Sequence, residues 1–346
     1  MMRKTVLVIM LSLAAGALAA EPLPPALDSA LDRALTFLSR QQKPDGSFDG
    51  GVHPNAMTGL GILAFLSCGH TPDAGRHAQI LRDAVDYLVR QNARDGYFGQ
   101  DGGRMYSHAI ATLALAQVHG TENDPAQQKA VFASLERALR VLMDAQDAAR
   151  SAPVHAGGWR YEPRSNDSDL SVTVWGMMAL RACQNAGLDV PRERLDRALT
   201  YVLRCYRPEQ RGFAYQPGGE ASASMTGAAL VALMLSGLDH RPEVGPAIRF
   251  LIEKPVRENT PHFHYALYYT AHAALLAGDQ PGRAAWSSLW RNAHDQLLES
   301  QRKEDGSFPR RRDDPGADNR PGRFYSTAMA VLTLSAPLRL LPAYQQ

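Results

Sequence analysis

The chain has 346 residues, 45% of them hydrophobic and 21% charged, with a formal net charge of +2. That length holds one large core or two small ones, and a nearly neutral surface exerts no general pull on nucleic acid or anionic lipid. Three cysteines make no disulfide framework in a chain this long, and their spacing fits no metal motif.

Residues 1–19 have the pattern of a secretory signal peptide. Arg3 and Lys4 precede an apolar run, and Ala17-Leu18-Ala19 offers a small-residue cleavage site. The expectation is an exported protein, periplasmic or secreted, with one domain over residues 20–346. Loss of Arg3 and Lys4 brings the remainder to neutrality, and no later stretch is apolar for long enough to span a membrane.

The rest of the chain repeats one plan. An amphipathic segment recurs at Ala34-Leu35-Thr36-Phe37-Leu38, Ala84-Val85-Asp86-Tyr87-Leu88, Ala138-Leu139-Arg140-Val141-Leu142, Ala198-Leu199-Thr200-Tyr201-Val202 and Ala247-Ile248-Arg249-Phe250-Leu251. A degraded sixth copy runs over residues 293–297. Apolar residues at three- and four-residue spacing with polar ones between them predict one-sided helices. A loop with a small residue and an aromatic follows each: Gln42 to Asp45-Gly46-Ser47-Phe48, Gln91 to Asp95-Gly96-Tyr97-Phe98, Gly158-Trp159, Gly212-Phe213, Phe263 alone, and Gln301 to Asp305-Gly306-Ser307-Phe308. Asp-Gly is turn chemistry, and the aromatic is expected to plug the space between neighbouring units. A second helix, apolar nearly all round and rich in Ala, Gly, Ser and Thr, then follows at 57–68, 107–118, 172–183, 224–236, 265–277 and 325–336. Such helices are buried on every side. Six hairpins of about 45–60 residues predict an all-α fold, a single (α/α)6 toroid in which six inner helices close a ring.

The Gln, Asp-Gly and aromatic repeat resembles the repeats of squalene and terpene cyclases and of protein prenyltransferase β subunits. The ending Gly322-Arg323-Phe324-Tyr325-Ser326-Thr327-Ala328 looks like exported bacterial proteins carrying prenyltransferase and squalene-oxidase-type repeats. The resemblance spans residues 26–345 and implies the same toroid. Squalene-type cyclases carry Asp-x-Asp-Asp at the mouth of an inner helix, and the middle Asp protonates an alkene or epoxide. The matching stretch is Asp167-Ser168-Asp169-Leu170, so the resemblance implies Asp169 as the acid and Asp167 as its electrostatic partner. Leu170 replaces the last acid. Protonating a carbon–carbon double bond needs a strong acid held neutral, tuned by neighbouring carboxylates and a histidine partner. The prenyltransferase zinc site is not matched: Ser326 stands at the histidine place and no cysteine is suitably placed. His262 and His264 alternate without a third ligand, so neither metal nor cofactor is assigned.

The junctions before the inner helices converge on one mouth of the ring. Candidate ligand contacts there are Tyr106, His108, Trp175, His264, Tyr265, Tyr268 and Tyr325, polar-tipped rings where a structural helix uses Leu and Ala. Each has a plainer reading. Asp169 also suits an N-cap with Leu170 as the first helical residue, and Ser107, Ser224 and Ser326 read as caps. The basic run Arg310-Arg311-Arg312 reads as a solvated loop. The function expected is binding of an apolar, isoprenoid-type small molecule in the central cavity, with acid-initiated cyclisation if the chain is an enzyme. The alternatives are a non-catalytic scaffold for a protein or glycan partner, and a carbohydrate-active (α/α)6 enzyme using Asp167/Asp169 or His264/Tyr268.

Overall fold

The computed structural model describes residues 23–277, 283–309 and 322–345. The expected signal segment and the Arg310-Arg311-Arg312 run lie outside them. Twelve helices follow in order: α1 (Pro25–Ser39), α2 (Pro54–Ser67), α3 (Ala78–Gln91), α4 (Arg104–Val118), α5 (Pro125–Asp147), α6 (Leu170–Asn185), α7 (Arg192–Arg204), α8 (Ala223–Leu235), α9 (Val244–Glu253), α10 (Phe263–Leu276), α11 (Arg283–Ser300) and α12 (Arg323–Leu334). The even-numbered helices are the inner ones. Each packs on the next around the ring, and α12 packs back on α2. The odd-numbered helices form the outer layer, their apolar stripes laid on the inner ring.

The repeat residues make the joints. Gln42 donates from Nε2 to the carbonyls of Gly46 and of Ile80 on the next outer helix. Gln301 does the same with Gly306 and with Ala30 on α1, which joins the last unit to the first. In the second unit the task falls to Asn92, which reaches the Ser134 carbonyl; Gln91 is exposed. Gln146 serves the third unit, bonding Gly157 and Arg194. The turn glycine allows the joint to close. Gly306 has φ +75°, and a Cβ there would lie 2.6 Å from the Arg33 carbonyl oxygen of α1. Gly46, Gly96 and Gly157 meet their following outer helix in the same way.

The loop aromatics are plugs. Phe48, Phe98, Phe213 and Phe308 have no exposed surface, and Trp159 donates from Nε1 to the Leu142 carbonyl. The amide of each plug is tied to its inner helix by a threonine hydroxyl: Thr58, Thr173, Thr226 and Thr327. In the second unit His108 does this work.

Several local expectations are corrected. Phe263 is not in a loop but opens α10, after His262 at φ 56°. Ser107, Ser224 and Ser326 lie inside their helices; α4 and α12 start after Gly103 and Gly322, and the cap of α8 is Ser222, whose hydroxyl accepts from the Met225 amide. The fourth loop carries a two-stranded antiparallel hairpin, β1 (Tyr206–Arg207) with β2 (Gly212–Phe213). At the opposite end from the N-termini of the inner helices, the tail turns in. Leu341 and Ala343 are buried, Ala343 donates its amide to Gln117, and Arg181 holds the Gln345 carbonyl. Among the described residues no helix is long and apolar enough to cross a membrane.

Candidate functional site

Asp169 is fixed before its side chain does anything. Its amide donates to the Trp159 carbonyl at 2.8 Å, and the next amide, Leu170, donates to the Tyr215 carbonyl. The plug of the third unit and the loop of the fourth therefore hold it at the start of α6. Its Oδ1 accepts from the Val172 amide at 2.9 Å, which is N-capping, and from the Ser171 hydroxyl at 2.6 Å. Its Oδ2 accepts from Arg160 Nη1 at 3.0 Å. The residue has no exposed surface.

Arg160 organises the rest. Its Nε lies 3.2 Å from Asp167, so one guanidinium spans both candidate carboxylates. Asp167 thus acts on Asp169 through a cation rather than directly. Arg160 also donates to the Tyr215 hydroxyl at 2.6 Å and lies 4.3 Å from the centre of the Tyr161 ring, while the two phenols share a 2.5 Å hydrogen bond. The Asp167 loop is pinned by Gln216, which bonds both the Asp167 carboxylate and the Ser168 carbonyl.

Burial pushes the Asp169 carboxyl above its ordinary value, and the Ser171, Val172 and Arg160 donors pull it back. Burial also works against the Arg160 cation, but Asp169, Tyr215 and Asp167 outweigh it and hold the guanidinium firmly charged. The two directions pull oppositely on one pair. The hydrogen bonding decides it: all three partners of Asp169 are donors, which is the surrounding of a carboxylate. The histidine partner expected from cyclase chemistry is replaced here by arginine.

A relay leads inward from this carboxylate. Ser171 gives its proton to Asp169, so the 2.5 Å contact between Ser171 and Tyr106 has the Tyr106 phenol as donor. Tyr106, Tyr265 and Tyr325, in the first turns of α4, α10 and α12, keep accessible surface although Tyr106 and Tyr265 lie deep within the ring. All three stand near the N-terminal ends of their inner helices. About one turn further along these helices the ring is filled. Trp175 stacks on Tyr268 with centroids 6.1 Å apart and planes 7° apart, and Tyr269 and His272 pack against Tyr268.

The seven candidate ligand contacts therefore separate. Tyr106, Tyr265 and Tyr325 stand partly exposed at the inner-helix N-termini, and Trp175 and Tyr268 are buried about one turn deeper. His264 is at the rim, its Nε2 3.1 Å from the Pro309 carbonyl. His108 is placed in the wall: Nδ1 accepts from the Phe98 amide and Nε2–H donates to Ala138, with burial holding its pKa at about 4. Among the described residues no group of three or more His, Cys, Asp or Glu is placed to hold a metal. A surface depression of about 380 Å³, lined by Phe132, Glu136, Arg140 and Asp189 among others, contains none of these residues.

Arg160, Tyr161 and Tyr215 were not singled out from the sequence. A signal existed: two residues after the plug stand Tyr161 and Tyr215 in the third and fourth units, where the first two have Gly50 and Gln100.

Comparison with known proteins accords with this architecture. The model of the prenyltransferase alpha-alpha toroid domain matches residues 27–262 and 256–340. The chain belongs to the prenyltransferase alpha-alpha toroid family. Within this toroid family it is 30% identical over 189 residues to drimenyl diphosphate synthase of Streptomyces showdoensis, covering 52% of this chain and 31% of that one. It is 33% identical over 93 residues to lanosterol synthase of Mus musculus, covering 26% and 13%. The matches thus span well under half the length of these relatives. Among solved structures, the type II terpene cyclase MstE from Scytonema aligns with a TM-score of 0.59 at 16% identity, covering 91% of this chain and 99% of that one. An alpha-1,6-mannanase of Salegentibacter sp. HEL1_6 aligns with a TM-score of 0.62 at 12% identity, covering 91% and 99%. At such identities the likeness is one of fold.

Proposed function

We propose that this toroid binds an isoprenoid-type ligand in the tyrosine-lined mouth, with Asp169 as the group that decides whether binding leads on to chemistry. The observation behind this reading is a fully buried carboxyl at the inner-helix mouth, linked through Ser171 to the partly exposed Tyr106, above an aromatic floor of stacked Trp175 and Tyr268. Isoprene units suit such a floor, because aromatic faces contact apolar chains without competing for hydrogen bonds. The relatives support the ligand class: MstE has been captured with geranylgeranyl dihydroxybenzoate as its substrate.

Cyclisation asks more of Asp169 than binding does. As an acid it must carry a proton, and in the resting arrangement Arg160 occupies the oxygen that would hold it. Protonation therefore requires that Arg160 turn away, toward Asp167 or a ligand's polar end. Binding is the base activity in this reading, and catalysis is conditional on that displacement.

The test is direct. Wild-type protein is titrated with geranylgeraniol in detergent and with mannotriose, following intrinsic tryptophan fluorescence and calorimetry, and extracts are analysed by mass spectrometry for cyclised product. Saturable binding of the prenyl alcohol, with no response to mannotriose, is expected. Binding of mannotriose alone would move the assignment to the glycan class.

A further inference from the structure

The loop of the fourth unit reaches across to the third through two adjacent residues. The Tyr215 carbonyl accepts from the Leu170 amide at 2.8 Å, and the Tyr215 hydroxyl accepts from Arg160 Nη1 at 2.6 Å. The Gln216 side chain donates to Asp167 Oδ2 at 3.0 Å and to the Ser168 carbonyl at 2.8 Å. Tyr215 thus acts on the cation, and Gln216 on one of the two carboxylates that compete for it.

That competition is uneven. Arg160 gives hydrogen bonds from Nη1 to Asp169 and to Tyr215. Toward Asp167 it stands at ion-pair distance, with Nε 3.2 Å from the same Oδ2 that takes the Gln216 hydrogen bond. A guanidinium suits a carboxylate edge-on, through two parallel bonds. One nitrogen on each acid makes that pair with neither. Arg160 and Asp167 are the ionic side chains beside Asp169. Arg150, nearby, bonds the Ala145, Gly158 and Ser165 carbonyls instead. Tyr106 of α4, Tyr201 of α7, Cys205 after it, Tyr215 and Tyr265 of α10 also face Asp169, and burial keeps all of them neutral. The charge state of Asp169 therefore turns on where the guanidinium rests.

We infer that Tyr215 and Gln216 are positioning residues: they hold Arg160 on Asp169 and keep Asp167 from drawing it away, so the loop of one unit decides whether the carboxyl of its neighbour can carry a proton. The inference rests on the proposed role of Asp169 and names what controls it. Without Gln216, the Asp167 oxygen is left to Arg160. Without the Tyr215 hydroxyl, Nη1 loses its anchor on the Asp169 side. The guanidinium then closes edge-on upon Asp167. Asp169 keeps the Ser171 and Val172 donors, both on Oδ1, and Oδ2 is released to hold a proton. The two side chains can be changed with the fold intact. The Ser168 carbonyl also accepts from the Tyr201 hydroxyl at 2.6 Å, the Leu170–Tyr215 bond is made by backbone alone, and Tyr161 is partly exposed and can turn to water.

The experiment follows the Asp169 carboxyl by carbon NMR, with aspartate isotopically labelled at Cγ, from neutral pH downward. Wild type is compared with Tyr215→Phe/Gln216→Ala and with Arg160→Gln, and the resonance is assigned by its loss in Asp169→Asn. Arg160→Gln sets the limit, the carboxyl without its cation. The double variant is expected to move the midpoint upward toward that limit by at least about one pH unit, since a cation within hydrogen-bond reach lowers a carboxyl by roughly one to three. Its near-ultraviolet dichroism at neutral pH is expected to match wild type. A midpoint equal to wild type in the double variant overturns the inference, and so does an unmoved midpoint in Arg160→Gln. A carboxyl that stays ionised in wild type and double variant alike down to acid unfolding overturns it too. A rise that comes only with lost dichroism at neutral pH also overturns it, because it reports a loosened fold. None of these measurements uses a ligand. Failure of wild type to bind geranylgeraniol would sink the isoprenoid reading, while the control of Asp169 stands or falls by the titration.

Discussion

Asp169 does two jobs with its two oxygens, and that changes what a conservative substitution means there. For an N-cap alone, Asn serves as well as Asp. Here the second oxygen faces Arg160 Nη1 at 3.0 Å. An asparagine must set its NH₂ either against that guanidinium or against the Val172 amide and Ser171, so a donor meets a donor in either rotamer. Asp169→Asn is therefore expected to destabilise the fold by about 1–3 kcal/mol, measured by urea unfolding. Asp167→Asn should cost less than about 1 kcal/mol, because Asp167 is 31% exposed. Equal stability of Asp169→Asn and wild type would show that the ion pair contributes nothing and that capping is the whole structural role. The sequence made Asp169 legible through its motif and its place before an apolar helix. It did not make Arg160 legible, because the pairing depends on the Trp159–Asp169 bridge that folds the loop onto itself. That bridge is a property of the loop's path, and no periodicity announces it.

At the scale of the hairpin, the repeat was readable because each of its residues answers one local need. The turn aspartates Asp45 and Asp305 hold the following amide, the glycine admits the next outer helix, and the aromatic fills the gap behind it. The boundaries were less readable. Inner helices start at Pro54 and Arg104 rather than at 57 and 107, since a helix apolar nearly all round has no stripe from which to read where its first turn begins. Gly306 tests the joint itself. Gly306→Ala meets both a positive φ and the Arg33 backbone, whereas Gly218→Ala meets φ +86° with nothing within 4 Å. The second substitution isolates backbone strain, roughly 1–3 kcal/mol. Gly306→Ala is expected to lose clearly more, because the turn at Gly306 and α1 must separate for the methyl to fit. Equal losses in thermal unfolding would mean that the seam between the last unit and the first is loose.

For the whole ring, closure means that buried groups have no frayed end from which to reach water, and its consequence is acid sensitivity. His108 and His272 are enclosed by inner helices, and burial lowers both from 6.5 to about 4. Each is neutral in the folded protein at pH values where the unfolded chain binds a proton. The unfolded state therefore holds more protons between about 4 and 6.5. Stability from this source is fully present above the ordinary histidine value and is lost as pH falls toward 4, by up to roughly 1.4 kcal/mol per pH unit for each histidine. Asp147, lowered by Arg194 and Arg197, and Asp305, whose lowering by Ser307 and Arg323 outweighs its burial, extend the loss to more acidic pH. Asp169 opposes it, since a carboxyl raised by burial takes its proton earlier in the fold than in the unfolded chain. The expected profile of melting temperature is flat above about pH 7 and falls through the histidine window. His108→Thr restores the side chain that ties the plug in four other units. It lowers stability at neutral pH by removing the Ala138 bond and leaving space, but it should reduce the acid slope by close to one proton. If the slope between pH 4 and 6.5 is the same in His108→Thr as in wild type, His108 is not held neutral, and the acid response belongs to other groups.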